Sequence, residues 1–130
     1  MERRSLVKML GAGGAAAAAV ALTAGKASAQ EKVTIALIPG LTADGFYVTM
    51  HKGAQAAAKA LNVDLLYQGA AEWNVSLQVP ILEAIIAKKP AAILIAPNDK
   101  VQMIEPLRKA YEAGIQVVCV DTFIGSGIFQ

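Results

Sequence analysis

The sequence predicts an α/β domain built on a doubly wound parallel sheet. Four short apolar runs rich in β-branched residues recur along the chain, and stretches with helical periodicity separate them. Near-continuous hydrophobicity is typical of strands covered on both faces, and strands that alternate with helices form parallel sheets with right-handed crossovers. The predicted strands are Val33–Ile38, Val63–Tyr67, Ala92–Ala96 and Gln116–Val120.

Three predicted helices fill the intervals between these strands. Each has apolar residues three or four positions apart, which places them on one face of a helix. The stripe of the first helix consists of Tyr47, Met50, Ala54, Ala57 and Leu61. The second and third stripes contain Leu77, Ile81 and Ile85, and Ile104, Leu107 and Tyr111.

Glycine and proline mark the ends of the second and third helices. Gly114 follows the third stripe and suits a left-handed C-terminal cap. Pro80 fits if the second helix begins near Ser76 or Leu77, because the first amides of a helix have no helical partner. Pro106 either bends the third helix or shows that this helix begins later than Asn98-Asp99 suggests.

The first 29 residues have the three parts of a secretory signal peptide. A charged head, residues 1–8, precedes an uncharged stretch rich in Ala and Gly, and Ala27-Ser28-Ala29 closes it. The stretch is weakly apolar compared with the roughly 20 strongly apolar residues of a membrane span. We therefore expect cleavage after Ala29, with a retained membrane anchor as the less favoured alternative, and a periplasmic mature protein comprising residues 30–130.

The charged head also resembles a specific export address. Arg3-Arg4-Ser5-Leu6-Val7-Lys8 has the paired arginines, apolar residues and lysine of the twin-arginine motif, which a receptor reads. The general secretory route is the alternative. No cysteine follows the small residues at the cleavage site, which disfavours a lipid anchor.

Removal of the signal changes the charge of the protein. Of the 12 basic and 10 acidic residues, four basic and one acidic precede residue 30, so the remainder carries a net charge of −1. A nucleic-acid partner is not expected, because phosphate backbones require a basic surface. Cys119 is the only cysteine, which excludes an intrachain disulfide, and its apolar neighbours predict a buried thiol. His51 has no partner at metal-ligand spacing and is predicted to be solvated. We expect no cofactor and no metal.

Candidate binding residues follow the predicted strands. In open α/β sheets, ligands bind outside the carboxyl ends of the strands. The segments there are 39–46, 68–74, 97–100 and 121–125. The chain runs only a few residues past the fourth strand, so we expect the fold to be incomplete.

Three blocks of sequence resemble periplasmic sugar-binding proteins of the ribose-binding type. The first is Val33–Ile38 followed by Asp44-Gly45-Phe46-Tyr47 and Gly53-Ala54-Gln55; the others are residues 88–99 and 113–122. The resemblance implies the N-terminal lobe of a type I periplasmic binding protein, which captures a carbohydrate for an ATP-driven importer. It implies a sugar ligand, a membrane permease as partner, a monomer and no enzymatic activity.

The resemblance also assigns roles to residues of the candidate site. Phe46 and Tyr47 match an aromatic pair, one or both rings of which pack against the sugar. Asp44 matches a polar position that binds a hydroxyl, and is acidic where relatives often carry an amide. Asp121 matches an acid that can accept two sugar hydroxyls. Thr122 stands where ribose-binding members carry an arginine, which favours a sugar other than ribose.

Three further residues in two loops extend the candidate site. Trp73, with Glu72 beside it, offers a stacking surface and an acceptor in the loop after the second strand, and Asn98 offers an amide after the third. Each candidate has a structural alternative. Asp44 suits a helix cap, and the aromatic pair suits the core. Asp121 suits a turn, Trp73 an exposed edge, and Asn98-Asp99 a turn and cap.

Other functional classes fit the same fold. A lactose-repressor-like regulator or a chemosensory domain shares it, and a doubly wound enzyme fragment shares its topology. A repressor begins with a DNA-binding helix-turn-helix and stays in the cytoplasm, which the predicted signal and the charge disfavour. An enzyme requires an activated nucleophile, a phosphate loop or a metal cluster, and the sequence shows none of these motifs.

Overall fold

The computed structural model describes residues 31–125, so the predicted signal peptide and the last five residues lie outside the described part of the chain. Strands and helices alternate as the sequence predicts, and each strand begins or ends within one residue of its predicted run. In chain order the elements are β1 (Thr34–Ile38), α1 (Gly45–Leu61), β2 (Asp64–Tyr67), α2 (Val75–Ala87), β3 (Ala92–Ile95), α3 (Ile104–Glu112) and β4 (Gln116–Cys119).

The four strands form one sheet in the order β2-β1-β3-β4. All three strand pairs are parallel, with Leu37 of β1 opposite both Tyr67 of β2 and Leu94 of β3. The direction of winding reverses between β1 and β3, so the topology is doubly wound. The predicted fold class is confirmed. Because the strands are parallel, their carboxyl ends all lie at one edge of the sheet.

The main hydrophobic core lies between the sheet and helices α2 and α3. Alternate residues of each strand point to this face, and from β1 and β3 they are fully buried against both helices. The helices meet them with residues at helical spacing on their inner faces. The principal contributors are Ala36, Ile38, Leu82, Ile85, Ile93, Ile95, Leu107 and Ala110.

Helix α1 covers the opposite face of the sheet less completely. Its predicted stripe is buried at Tyr47, but Ala57 is exposed and Leu61 is 72% exposed. An apolar cavity of about 170 Å³ lies between the second half of α1 and the sheet. On the same face Val118 of β4 is exposed. The expectation that every strand is covered on both faces is therefore wrong for β4 within residues 31–125, because α1 packs over β2 instead.

Short polar residues and glycine define the helix ends. The Asp44 and Asn74 side chains accept hydrogen bonds from backbone amides two residues later and begin α1 and α2. Gly114 follows α3 with φ of +83°, as its predicted role requires. Pro106 is the third residue of α3, so this helix begins late and needs no bend. Pro80 is the sixth residue of α2, because that helix begins at Val75, earlier than predicted.

Candidate functional site

The carboxyl edge of the sheet carries a cluster centred on the side chain of Tyr47. Tyr47 belongs to the first turn of α1, and only 3% of its surface is exposed. Its ring meets the Phe46 ring edge-on at a centroid distance of 5.2 Å, and the Trp73 ring at 6.4 Å. Its hydroxyl donates a hydrogen bond of 2.6 Å to Oδ2 of Asp121. The fold thus joins four predicted site residues from three separate segments: the first turn of α1, the loop after β2 and the loop after β4.

The Tyr47 hydroxyl lies between Asp121 and the backbone of Gly40. It donates to Asp121, and Gly40, in the loop after β1, lies so close that a Cβ there would be 2.7 Å from the hydroxyl. Burial, followed by the hydrogen bond and negative charge of Asp121, raises the pKa of Tyr47 far above its usual value. The hydroxyl is therefore a neutral donor at neutral pH.

Asp121 lies two residues beyond the end of β4 and has an unusual backbone conformation. Its φ is +67°, in the left-handed region that residues other than glycine adopt at a cost. The residue is exposed, and from the described residues only the Tyr47 hydroxyl bonds to its carboxylate. The second carboxylate oxygen, Oδ1, has no hydrogen-bond partner within the described part of the chain and can accept a bond from a ligand.

Trp73 crosses the end of β1 at a position that only glycine permits. A Cβ on Gly40 would lie 2.2 Å from Cζ3 of Trp73 and 2.7 Å from the Tyr47 hydroxyl. The indole N–H donates to the backbone oxygen of Asn98 at 3.2 Å, which ties the loop after β2 to the loop after β3. Trp73 is nevertheless 46% exposed, so part of the ring is open to a ligand.

Asp44 and Phe46 lie at the outer side of the cluster. Asp44 caps α1, and its Oδ1 accepts a hydrogen bond of 2.8 Å from the Phe46 amide, as the capping alternative predicts. Asp44 is exposed, so the part of its carboxylate outside the capping bond is open to solvent. Phe46 is 56% exposed, which disfavours the prediction that its ring belongs to the core. The aromatic pair is therefore divided into a buried Tyr47 and an exposed Phe46.

Gln78 is a residue of this edge that the sequence reading missed. It is fully buried in α2, where its amide nitrogen donates to the backbone oxygens of Pro39 and Ala96 and its oxygen accepts from the Asn98 amide. It therefore joins the ends of β1 and β3 to α2. A signal was present, because Gln78 shares a helix face with Leu82 and Ile85, and a polar residue on a core face needs partners.

Asn98 is held by its backbone, and its side chain lacks partners. The backbone amide bonds to Gln78 and the backbone oxygen accepts from Trp73. Both polar atoms of its side-chain amide are buried without a hydrogen-bond partner among the described residues. Because such groups are costly when unpaired, this amide is suited to a ligand or a water molecule. Asp99 is the cap that the alternative predicts, since it accepts from the amides of Val101 and Gln102.

The Thr122 side chain forms a hydrogen bond within the fold and does not face the open edge of the sheet. Its hydroxyl donates a hydrogen bond of 2.8 Å to the backbone oxygen of Pro97. This bond joins the loop after β3 to the loop after β4. The residue next to Asp121 thus helps to hold its loop in place.

Other predicted positions lie outside the cluster. His51 stacks on Tyr67 with ring centroids 3.6 Å apart, so it is half-buried rather than solvated. Cys119 is also half-buried, and desolvation raises the pKa of its thiol. Within residues 31–125, no three acidic, histidine or cysteine side chains gather as a metal site. No helix in this range is long and apolar enough to cross a bilayer.

Comparisons with known proteins agree with this architecture. A family model described as a periplasmic binding protein domain matches residues 35–128. The D-ribose/D-allose-binding protein of Pseudomonas aeruginosa is 35% identical over 112 residues, which cover 84% of this chain and 35% of the relative.

Solved structures add two close neighbours. An ABC transporter solute-binding protein from Agrobacterium vitis, bound with α-D-tagatopyranose, is 56% identical with a TM-score of 0.71; the match covers 74% of this chain and 35% of that one. A periplasmic solute-binding protein from Actinobacillus succinogenes with bound D-allose is 32% identical with a TM-score of 0.70, covering 73% and 34%.

These matches cover most of this chain but only about a third of each relative. They confirm the resemblance to the ribose-binding type of sugar receptor that the three sequence blocks indicate. Their solved structures share the parallel α/β fold described above. The chain therefore belongs to the periplasmic binding protein domain family.

Proposed function

We propose that this chain is the first lobe of a receptor that captures a carbohydrate for ATP-driven import. The observation that carries the proposal is the pairing of Asp121 with the aromatic cluster. An exposed carboxylate, one oxygen of which has no partner within residues 31–125, lies at the same edge as the exposed Phe46 ring, and Tyr47 contacts both.

This combination suits the two kinds of surface on a sugar. Hydroxyl groups around the rim need acceptors and donors, and a carboxylate forms the stronger, charge-assisted hydrogen bonds. The C–H groups on the ring faces pack well against aromatic planes. Asp121 and Asp44 supply the acceptors, Phe46 and Trp73 supply the planes, and the Asn98 amide supplies both a donor and an acceptor.

The relatives indicate which sugars to test first. The Agrobacterium vitis protein, the most similar of those described, has bound tagatopyranose, and the two other relatives are associated with ribose or allose. Thr122 of this chain bonds to Pro97 and lacks the charged end of an arginine. We infer that a six-carbon sugar in its pyranose form, D-tagatose first, is bound in preference to ribose.

Isothermal titration calorimetry tests the proposal on the complete natural reading frame that contains this chain. D-tagatose, D-allose, D-ribose and D-arabinose are titrated into the parent protein and into Asp121→Ala. We expect D-tagatose to bind the parent, and the variant to lose about a hundredfold in affinity or more, because it removes charge-assisted hydrogen bonds.

Asp64→Ala is the matched control. Asp64 is also an exposed aspartate, but it begins β2 at the opposite edge of the sheet, 3.6 Å from the Lys32 ammonium. Its replacement should leave the dissociation constant unchanged. Absence of binding by the parent to all four sugars, or equal affinities of Asp121→Ala and parent, would contradict the proposal.

The proposal includes a division of the chain and a set of partners. Residues 1–29 form a signal peptide, and residues 30–130 form the N-terminal lobe, with a second lobe completing the receptor. The receptor acts as a monomer in the periplasm, delivers its sugar to a membrane permease, binds no nucleic acid and catalyses no reaction. The family and the relatives' roles in transport support this assignment.

The export route has its own test. Residues 1–29 are fused to a reporter that is active only after export, and the double variant Arg3→Lys/Arg4→Lys is compared with the parent. Loss of reporter activity in the double variant, and in a strain lacking the twin-arginine translocase, is the expected result. Unchanged activity in both would assign the signal to the general secretory route.

A regulatory or enzymatic role receives less support. The relatives described above are transport proteins or sugar-binding proteins, and none is described as a regulator or an enzyme. The open carboxylate and exposed rings suit capture of a neutral polar ligand. We therefore keep carbohydrate capture as the single proposed function.

A further inference from the structure

Tyr47 differs from the other aromatic residues of the cluster in how much of its ring is accessible. At 3% exposure, with Phe46 against one side and Trp73 against another, the ring has no free face on which a sugar could stack. Its contribution to a ligand must therefore pass through its hydroxyl or through its neighbours.

The hydroxyl has no proton left to donate to a ligand. A phenol donates one hydrogen bond, and the Tyr47 hydroxyl donates it to Asp121. The backbone of Gly40 also lies close to the hydroxyl oxygen, since a Cβ on Gly40 would be 2.7 Å from it. The oxygen–oxygen distance of 2.6 Å to Asp121 is that of a strong, charge-assisted bond. This leaves Asp121 as the group through which Tyr47 acts.

Asp121 needs such a restraint more than an ordinary exposed aspartate does. Its backbone is in the left-handed region at φ of +67°, a conformation that persists only where surrounding contacts enforce it. An exposed carboxylate on this backbone would otherwise be free to rotate. The bond to Tyr47 holds Oδ2 in place and leaves Oδ1 without a partner among the described residues.

We propose that Tyr47 is a positioning residue that holds Asp121 in one orientation, so that Oδ1 is presented to the hydroxyl groups of a bound sugar. This inference rests on the proposed function and refines it, since it moves Tyr47 from a stacking role to an orienting one. A restrained acceptor binds more tightly because less side-chain freedom is lost on binding.

A double-mutant cycle on the complete natural reading frame tests the inference with D-tagatose as the probe. The four proteins are the parent, Tyr47→Phe, Asp121→Asn and the combination of both changes. Tyr47→Phe keeps the buried ring and removes only the hydroxyl. We expect it to weaken binding about tenfold, and to change the affinity of Asp121→Asn by less than twofold, because the group it orients is then altered.

Tyr67→Phe is the matched control. It removes a phenol hydroxyl at the end of β2 that has no hydrogen bond to Asp121, and it should leave the affinity unchanged. An unchanged affinity of Tyr47→Phe, or the same fold loss with and without the Asp121 change, would overturn the inference.

A sugar-free crystal structure of Tyr47→Phe separates failure of this inference from failure of the proposed function. If Tyr47 orients Asp121, the carboxylate occupies more than one rotamer or a new one once the hydroxyl is absent. A carboxylate that keeps its position and a single rotamer would overturn the inference even if no sugar binds. A parent that binds none of the sugars, together with a displaced carboxylate, would overturn only the proposed function.

Discussion

Phe46 and Tyr47 are adjacent in the first turn of α1, yet one is 56% exposed and the other 3%. They represent two regions of the carboxyl edge. The inner network consists of Gly40, Tyr47, Gln78 and Asp121. The Tyr47 hydroxyl bonds to Asp121 and packs against Gly40, and Gln78 bonds to the backbone oxygen of Pro39, the residue before Gly40. The outer rim consists of Asp44, Phe46 and Trp73, which expose carboxylate or ring surface to solvent.

The difference shows how a binding edge combines order with openness. The inner network forms its hydrogen bonds within the lobe and leaves Oδ1 of Asp121 to a ligand, so it is arranged before any ligand arrives, which lowers the cost of binding. The outer rim offers surface that a ligand or another part of the protein can cover. The following changes test whether the two regions are distinct in this way.

Gln78→Leu should cause the largest loss of stability. It removes the buried side chain that pairs with the backbone amide of Asn98 and with the backbone oxygens of Pro39 and Ala96. Each such group costs about 1–3 kcal/mol when unpaired, and three groups are affected, so we expect the free energy of unfolding to fall by about 3 kcal/mol or more. Urea unfolding followed by circular dichroism measures this. Gln102→Leu, on an exposed position, is the control; equal small effects of the two would show that Gln78 is not a structural link.

Gly40→Ala should have the next largest effect, through packing. The added Cβ would clash with the Trp73 ring and the Tyr47 hydroxyl. Overpacking of this kind costs about 1–3 kcal/mol, and Trp73 should move outward. Because Trp73 is the only tryptophan of this chain, a red shift of its fluorescence reports the movement. Gly53→Ala, where a Cβ meets nothing within 4 Å, should leave the emission maximum unchanged. An unshifted Gly40→Ala spectrum would contradict the close packing.

The stability of the chain should decline above about pH 10, the ordinary pKa of a tyrosine, and Tyr47 should contribute to the decline. Its folded-state pKa is raised by burial and by Asp121, so the folded protein holds the phenol proton more tightly than the unfolded chain. That contribution is present below the unfolded-state pKa and is lost as the pH rises toward the folded-state value. Burial raises the pKa of Tyr67 too, in the same direction.

The measurement is urea unfolding at pH 8, 10 and 11 for the parent and Tyr47→Phe. The variant should lose less stability than the parent between pH 8 and 11. Tyr67→Phe serves as the comparison for a half-buried phenol without an aspartate partner. Identical pH dependence of Tyr47→Phe and parent would show that the Tyr47 proton is not held as the structure indicates.

Asn98→Ala should have the smallest effect on stability. The backbone bonds of Asn98 to Gln78 and Trp73 are retained, and a buried amide without partners is removed. We expect the free energy of unfolding to stay the same or to rise by up to about 1 kcal/mol. Sugar affinity should fall at the same time if the amide binds the ligand. A loss of stability of 2 kcal/mol or more would mean that the amide has a structural partner.

Much of this architecture follows from local sequence patterns. Apolar runs separated by stretches with helical periodicity predict all four strands. The topology of parallel sheets then predicts that Asp121 and the aromatic pair meet at one edge of the sheet. The pattern cannot show how Phe46 and Tyr47 divide their roles, because both are apolar residues in one helical turn. That division depends on Trp73 and Gly40, which arrive from other parts of the chain.

The misreadings also have physical causes. Periodicity marks Leu61 as part of a buried stripe, yet burial depends on what lies opposite, and α1 covers only part of its face of the sheet. Gln78 interrupts an apolar pattern and is easily taken for a surface residue. His51 stacks on Tyr67 through a contact between α1 and the end of β2 that no short-range pattern reveals.

The most direct test of the preformed inner network is a crystal structure of the complete natural protein with its sugar. We predict that Oδ1 of Asp121 accepts a sugar hydroxyl within about 3 Å, while Oδ2 keeps its hydrogen bond from Tyr47 and the ring of Phe46 packs against the sugar. A sugar that contacts the Tyr47 hydroxyl in place of Asp121, or an Asp121 carboxylate turned away from both, would contradict this arrangement.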